Sequence, residues 1–130
     1  MNNITMIGNI TKDPELKFTP TGRAVANFSI AVTQYKNDKD EWISDFFNCT
    51  AWGSLAQNIT ESIFKGNRVI ISGKLFVEKW TDPEGGKRQH TKIRVDSLGP
   101  ELTFAKCIVE KNPKTPEEGP DRDYQDNDAN

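Results

Sequence analysis

Ser44-Asp45-Phe46-Phe47-Asn48-Cys49-Thr50-Ala51-Trp52-Gly53 separates into two chemically different sets when every second residue is taken. In an extended strand alternate side chains point to opposite faces. Phe47, Cys49 and Ala51 then make a face suited to a core, while Phe46, Asn48, Thr50 and Trp52 make the other. A solvated face should be polar. Its two aromatics therefore require a covering layer, such as a second core or a subunit contact, or a flat ligand that stacks on rings. Nucleic-acid bases are ligands of that kind, and this strand alone leaves both options open.

Immediately after Trp52 the apolar period changes from two to about 3.6. Leu55, Ala56, Ile59, Ile63 and Phe64 form one stripe, which predicts a helix. Ser54 with Gln57 three residues on is the pattern of a capping box, and Gly66 is placed as a left-handed stop. Upstream, Asn3 to Ile10 reads as a first strand with Gly8 marking a bend or bulge. Turn signals at Asp13-Pro14 and Thr19-Pro20-Thr21-Gly22 bracket Glu15 to Phe18, and Ala24 to Thr33 alternates as a second strand. Gln34 to Trp42, rich in charge, predicts a hairpin loop leading into the strand quoted above.

Downstream, Asn67 to Trp80 alternates with Val69, Ile71, Gly73, Leu75 and Val77 inward. Asp82-Pro83-Glu84-Gly85-Gly86 is a turn into a fifth strand, Lys87 to Leu98, with Thr91, Ile93 and Val95 inward. Leu102 to Val109 can pair as an extra C-terminal strand. Five strands with one helix between the third and fourth is the order of an OB-fold, a five-stranded Greek-key barrel, although other small barrels share similar patterns.

The chain of 130 residues suffices for one ordinary domain. We expect residues 1–111 to form it and residues 112–130, rich in proline and acids, to be a disordered acidic tail. The net charge of −2 hides an asymmetry: the tail carries −4 and residues 1–111 carry +2. A mildly basic domain is compatible with phosphate binding without demanding it. No run of about 18 apolar residues is present to span a membrane, and the N-terminus lacks a secretion signal, so a cytoplasmic location is expected. Cys49 and Cys107 form no Cys-x-x-Cys pair and read as small buried apolar residues; with His90 the only histidine, no metal site or cofactor is indicated.

Compared across the predicted strands, the outward faces repeat one combination. Phe46 and Trp52 lie on the third, Lys74 and Trp80 on the fourth, and Lys92 and Arg94 on the fifth. Aromatics interleaved with cations suit a single-stranded nucleic acid, whose bases stack for roughly 1–3 kcal/mol each while its phosphates need cations. Tyr35 and Trp42, at the ends of the charged segment, read equally well as stacking or structural residues, and Phe76 reads as a packing or subunit-contact residue. Arg23, Lys36, Arg68, Lys79, Lys87 and Arg88 lie on predicted loops or outward positions and are further phosphate candidates, with Lys74, Lys92 and Arg94 favoured. Gly85-Gly86 lacks the context of a phosphate loop, and carboxylates such as Asp45 and Glu78 have no partner for acid–base work, so no enzyme is expected. The alternatives to DNA binding are an RNA binder on the same fold, a docking surface for another protein, and a nuclease built on Asp45 and Glu78.

Several segments together resemble the bacterial single-stranded-DNA-binding protein family: Gly8-Asn9-Ile10 with Asp13-Pro14-Glu15, Thr21 to Phe28, Trp52-Gly53-Ser54-Leu55-Ala56, Lys65 to Val69, Gly73-Lys74-Leu75 and Lys79-Trp80-Thr81-Asp82. The resemblance covers nearly all of residues 2–104. It implies an OB-fold, commonly homotetrameric, that wraps single-stranded DNA without sequence preference in replication, recombination and repair. It also implies base stacking at Phe46, Trp52 and Trp80, with Phe46 where the family frequently has tryptophan and Tyr35 the nearest counterpart of a further one. Gly99-Pro100-Glu101-Leu102 running into Ala105 to Val109 is similar to the actinobacterial branch, whose added C-terminal strand clamps subunits. The family's terminal Pro-Phe, which recruits other proteins, has no match in Asp126-Asn127-Asp128-Ala129-Asn130, an ending that suits a phage-encoded or accessory version.

Overall fold

The computed structural model describes residues 1–114. The element order is β1 (Ile4–Ile10), β2 (Glu15–Phe18), β3 (Ala24–Lys36), β4 (Trp42–Trp52), α1 (Gly53–Ser62), β5 (Arg68–Thr81) and β6 (Lys87–Pro100). The sheet runs β1-β5-β6-β4-β3-β2, and β1 also pairs with β3, so five strands close into a barrel with β2 added at its side. This is the expected OB-fold, with α1 between the third and fourth barrel strands. The sixth strand, β2, is the segment between the two turn signals. It pairs with Phe18 opposite Ala24 and Glu15 opposite Asn27, and none of its residues is buried, so the backbone ladder is its main tie to the barrel.

The inward sets meet in one core. Ala24, Ala26, Phe28 and Ile30 of β3 are buried with Cys49 and Ala51 of β4, Val69 and Ile71 of β5, and Ile93 and Val95 of β6. Ala56, Ile59 and Ile63 from α1 and the residue that follows it join the same cluster. The helix lacks the expected capping box. Trp52 occupies the cap position with no side-chain cap hydrogen bond, and Ser54 lies inside the first turn. The chain turns at Gly53, whose φ of 70° only glycine adopts without strain, so the helix starts before Ser54 can cap it. A missing cap costs about 1 kcal/mol. Burying a side chain such as Ile59 returns about 1.5–3 kcal/mol, so packing outweighs the poor start. Gly66 does not stop the helix either. Ile63 already resumes extended backbone, and Gly66 sits in the following turn, where its N–H donates to the Ile10 carbonyl at 2.8 Å.

Gly8 forms no bulge; it stays in the β1–β5 ladder opposite Val69. One register shift lies at Gln34 in β3 and another in β6. Ser72 pairs with Ser97 and Gly73 with Val95, leaving Asp96 as the extra residue. Gly73 is required here because a Cβ on it would lie 2.2 Å from the Arg94 carbonyl oxygen. Beyond this point Leu75, Val77 and Thr91, expected inward, are exposed, because the β5–β6 hairpin projects past the barrel as an arm with no core to enter. A second arm forms at β3–β4. Lys36 pairs with Trp42, which shortens the expected loop to residues 37–41, and Asn37 closes it by accepting from the Lys39 and Glu41 amides.

Residues 102–109 form no strand within this chain. The Glu101 N–H reaches the Arg68 carbonyl at 2.9 Å, and the following segment passes α1, where Asn112 Nδ2 donates to Asn58 Oδ1 at 3.1 Å. Cys107, expected to be buried, is exposed on this segment. The expected tail disorder falls mostly on residues 115–130, outside the described residues.

Two outcomes check this packing. Gly73→Ala places its methyl group against backbone, and overpacking of this kind costs about 1–3 kcal/mol, read as a lower urea midpoint. Burial pushes the Cys49 thiol from 9.0 up to about 12. The folded thiol then keeps its proton where the unfolded one loses it, so this contribution to stability is full below pH 9.0 and declines as pH rises towards 12. In the native protein at pH 8 a thiol-specific reagent should label Cys107 rapidly and Cys49 only after unfolding.

Candidate nucleic-acid interface

β4 sits between β3 and β6, and its register carries its outer face into both neighbours. Val25 stands opposite Trp52, Asn27 opposite Thr50, Ser29 opposite Asn48 and Ala31 opposite Phe46. The parallel pairing with β6 sets Asn48 beside Lys92 and Thr50 beside Arg94. From β6 to β5, Arg94 faces Lys74, Lys92 faces Phe76, His90 faces Glu78 and Arg88 faces Trp80. Cross-strand partners share a face. Two continuous rows result, Asn27-Thr50-Arg94-Lys74 and Ser29-Asn48-Lys92-Phe76, flanked by Trp52 at one end and the Trp80 arm at the other. Thr50 in the first row is buried and its hydroxyl lies 3.2 Å from Asn27 Oδ1. A groove of about 640 Å³ follows these rows, lined by Trp52, Lys74, Phe76, Lys92 and Arg94 with Asn2 at its rim. Asn2 is fixed there by a hydrogen bond in each direction with the Leu75 backbone, at 2.7 and 3.0 Å.

Four sequence-expected residues, Trp52, Lys74, Lys92 and Arg94, thus meet in one groove. The cations differ in how free they are. Lys74 Nζ is 2.7 Å from Asp96 of the bulge and Lys92 Nζ is 3.3 Å from Glu78 Oε1, whereas Arg94 has no carboxylate partner among the described residues. Exposed pairs of this sort contribute about 0–1 kcal/mol to stability, so a phosphate can displace them at small cost. Arg23 lies over Trp52, its guanidinium carbon 4.3 Å from the ring centroid. This cation–π contact covers one face of the ring while leaving the guanidinium donors available to an anion.

The other aromatics occupy the periphery. Phe46 is 69% exposed on the same outer face, beyond the groove lining. Trp80 lies on the β5–β6 arm, with its ring edge-on to His90 at 5.9 Å. Across from it, Arg88 is paired with Asp82 at 2.9 Å. That contact, with the Gly86 amide, holds the Asp82 carboxyl below its usual range, so Arg88 also ties down the turn. Lys79 alternates to the opposite face of the arm from Trp80. On the β3–β4 arm, Lys36 lies 4.9 Å above the Trp42 ring and 3.2 Å from Asp40, with Tyr35 exposed beside them.

Arg68 stands apart from the groove. It stands opposite Asn9, pairs with Glu101 at 2.7 Å and lies over the Phe104 ring at 5.4 Å. Its partners are more than thirty positions later in the chain, so outward alternation could not reveal the commitment. Conversely, Phe76, read from its apolar neighbours Leu75 and Val77 as a packing or subunit-contact residue, lines the groove. Its place in the outward set with Lys74 was the available signal. Among the described residues no group of three His, Cys, Asp or Glu side chains is placed to hold a metal ion.

The profile of the Single-strand binding protein family matches residues 1–100. Among curated relatives, a Corynebacterium glutamicum protein is 43% identical over 117 residues, covering 86% of this chain and 52% of its own length. A Paenarthrobacter aurescens protein is 42% identical over 121 residues, covering 89% of this chain and 71% of its own. A Mycobacterium tuberculosis protein is 43% identical over 113 residues, covering 83% and 69%. Each is named a single-stranded DNA-binding protein. The chain therefore spans about half of the first relative and about two thirds of the others.

Arg23→Ala should uncover one face of Trp52. The expected outcome is a larger acrylamide quenching constant for the tryptophan fluorescence, absent when the same change is made in a Trp52→Phe background. An unchanged constant contradicts the stacked arrangement.

Proposed function

The chain belongs to the single-strand binding protein family, whose profile it matches over residues 1–100, and on that premise we propose that it binds single-stranded DNA without sequence preference. The observation that carries the reading is the alignment of Trp52, Phe76, Arg94, Lys74 and Lys92 along one groove by strand register. Bases stack on Trp52 and Phe76 in the groove, and on Phe46 and Trp80 at its edges. Phosphates engage Arg94 and Arg23 first, then Lys74 and Lys92 as their carboxylate partners are displaced. Tyr35, Lys36 and Trp42 extend the same chemistry onto the second arm, with Lys79 and Arg88 at the tip of the first.

Stacking fits this arrangement because any base presents a π-face, whereas a duplex hides its base faces. The names of the actinobacterial relatives support DNA as the ligand. The protein acts as a binding module and not as an enzyme. Glu78, one of the two carboxylates considered for a nuclease, is engaged with Lys92. Assembly as a homotetramer accords with the exposed Ile7–Ile70 cross-strand pair and with the exposed Phe104, Ile108 and Val109 beyond the barrel. Protection of exposed DNA during replication, recombination and repair in the cytoplasm follows from such binding. No helix among the described residues is long and apolar enough to cross a membrane.

Titration with oligo-dT should quench tryptophan fluorescence at low salt. Trp52→Ala and Trp80→Ala should each weaken binding by about 1–3 kcal/mol, and Lys74→Ala should flatten the dependence of log K on log salt by about 0.7. Normal affinity in both tryptophan variants, together with dissociation into smaller oligomers, would identify the rings as subunit contacts instead. Poly-U of equal length binding more tightly than oligo-dT would make RNA the ligand.

A further inference from the structure

One carboxylate sits in the middle of this cationic face. Glu78 Oε1 lies 3.3 Å from Lys92 Nζ and 4.0 Å from His90 Nε2, so a single oxygen stands between two nitrogen bases. Register puts Glu78 directly opposite His90, with Lys92 two residues along the same strand. His90 Nε2 is buried and has no hydrogen-bond partner among the described residues. The imidazole also packs roughly perpendicular to the Trp80 ring and borders a small hollow shared with Lys12, Glu15, Asn48, Cys49 and Lys92. The charged groups on this side are therefore Glu78 from β5, Lys92 and Arg88 at alternate positions of its own strand, and Lys12 and Glu15 across the hollow on the β1–β2 side. The Cys49 thiol stays protonated and contributes no charge.

We propose that Glu78 is a positioning residue that withholds Lys92 from the DNA and that protonation of His90 releases it. This inference rests on the single-stranded DNA reading given above. With a neutral imidazole, the only cation Glu78 can satisfy is Lys92. An added proton makes Nε2 a charged donor 4.0 Å from the same oxygen, and a shift of about 1 Å brings the pair to about 3.0 Å, within hydrogen-bond range. Glu78 is then divided between two cations, and Lys92 turns to a phosphate at a lower cost. The coupling is reciprocal: phosphate at Lys92 frees Glu78 for His90, so DNA binding takes up a proton. Histidine is the side chain that ordinarily changes charge between about pH 5 and 8, so affinity for DNA rises as pH falls through that interval.

His90 is the only histidine in the chain, so its imidazole proton resonances report this site without assignment. In the free protein, Glu78→Gln should lower the His90 titration midpoint and Lys92→Gln should raise it. Unmoved midpoints overturn the coupling, whatever the DNA does. Oligo-dT, whose bases do not titrate between pH 5.5 and 8, then measures the consequence by fluorescence anisotropy. Wild-type affinity should rise several-fold over that fall in pH, and His90→Gln should lose the rise. Glu78→Gln should bind several-fold more tightly than wild type at pH 8, with a log–log salt slope steeper by about 0.7, and the advantage should vanish at pH 5.5. Glu78→Asp should restore the wild-type profile. An equal pH dependence in wild type and His90→Gln overturns the proposal even where DNA binds well. A wild-type protein with no oligo-dT affinity at low salt overturns the functional reading, and this inference with it.

Discussion

The register of β4 is the constraint on which both halves of the molecule depend. Cys49 and Ala51 have to enter the core while Thr50 and Trp52, one position away, face outward. A slip by a single residue would exchange the two sets, burying Trp52 and exposing Ala51. The strand is pinned from both sides. It runs antiparallel to β3 along nearly its whole length and parallel to β6 at Asn48, Cys49 and Thr50. The same pairing that holds the core in place therefore brings Lys92 and Arg94 beside the outward residues of β4. Fold and binding face are consequences of one ladder, and the barrel cannot be assembled correctly with the face left wrong.

Charge is organised on a different principle from packing. The groove cations Lys74 and Lys92 each have a carboxylate within reach, from the bulged Asp96 and from Glu78. Exposed pairs add little to stability, so their presence is not explained by a need to hold the sheet together. They lower the positive potential of the face, and their small contribution to stability means that a polyanion could displace them at little cost. The net charge of −2 is thus a poor guide to what the face can do. What matters is how many groove cations are already occupied, and Arg94 is unpaired among the described residues.

The barrel strands and the helix were legible because their burial is periodic: Ala24, Ala26, Phe28 and Ile30 announce a strand with one buried side. Where burial stops, the sequence signal stops with it. All four residues of β2 are exposed, so nothing in their order distinguishes a strand from a loop. The same holds for Gln34 to Lys36, where the ladder continues past a register shift at Gln34 with exposed side chains, and for Leu75 and Val77, apolar residues that alternate like a core strand yet lie beyond the core. At the site, alternation correctly grouped Trp52, Lys74, Lys92 and Arg94, since strand pairing preserves faces. It could not show Arg23 lying over Trp52, nor Arg68 committed to Glu101, because both contacts depend on how turns and chain ends fold back.

The placement of the aromatics follows a gradient of stiffness. Trp52 is rooted where β4 meets the helix, its neighbours Ala51 and Ala56 fully buried. Trp80 and Trp42 stand on arms that keep their hydrogen-bonded ladders after the core has ended. Segments with regular pairing and little buried apolar surface open and bend at low free-energy cost. A ligand that is itself a flexible strand, with no fixed spacing between bases, is poorly matched by rings held rigidly at every site. In the reading proposed above, one stiff platform would set the position of the first base, and rings on pliable arms would adjust to those that follow. Independence from base sequence would then need no special device: on the proposed reading it would arise from a fixed anchor, movable stacking partners and cations whose carboxylates give way to phosphate.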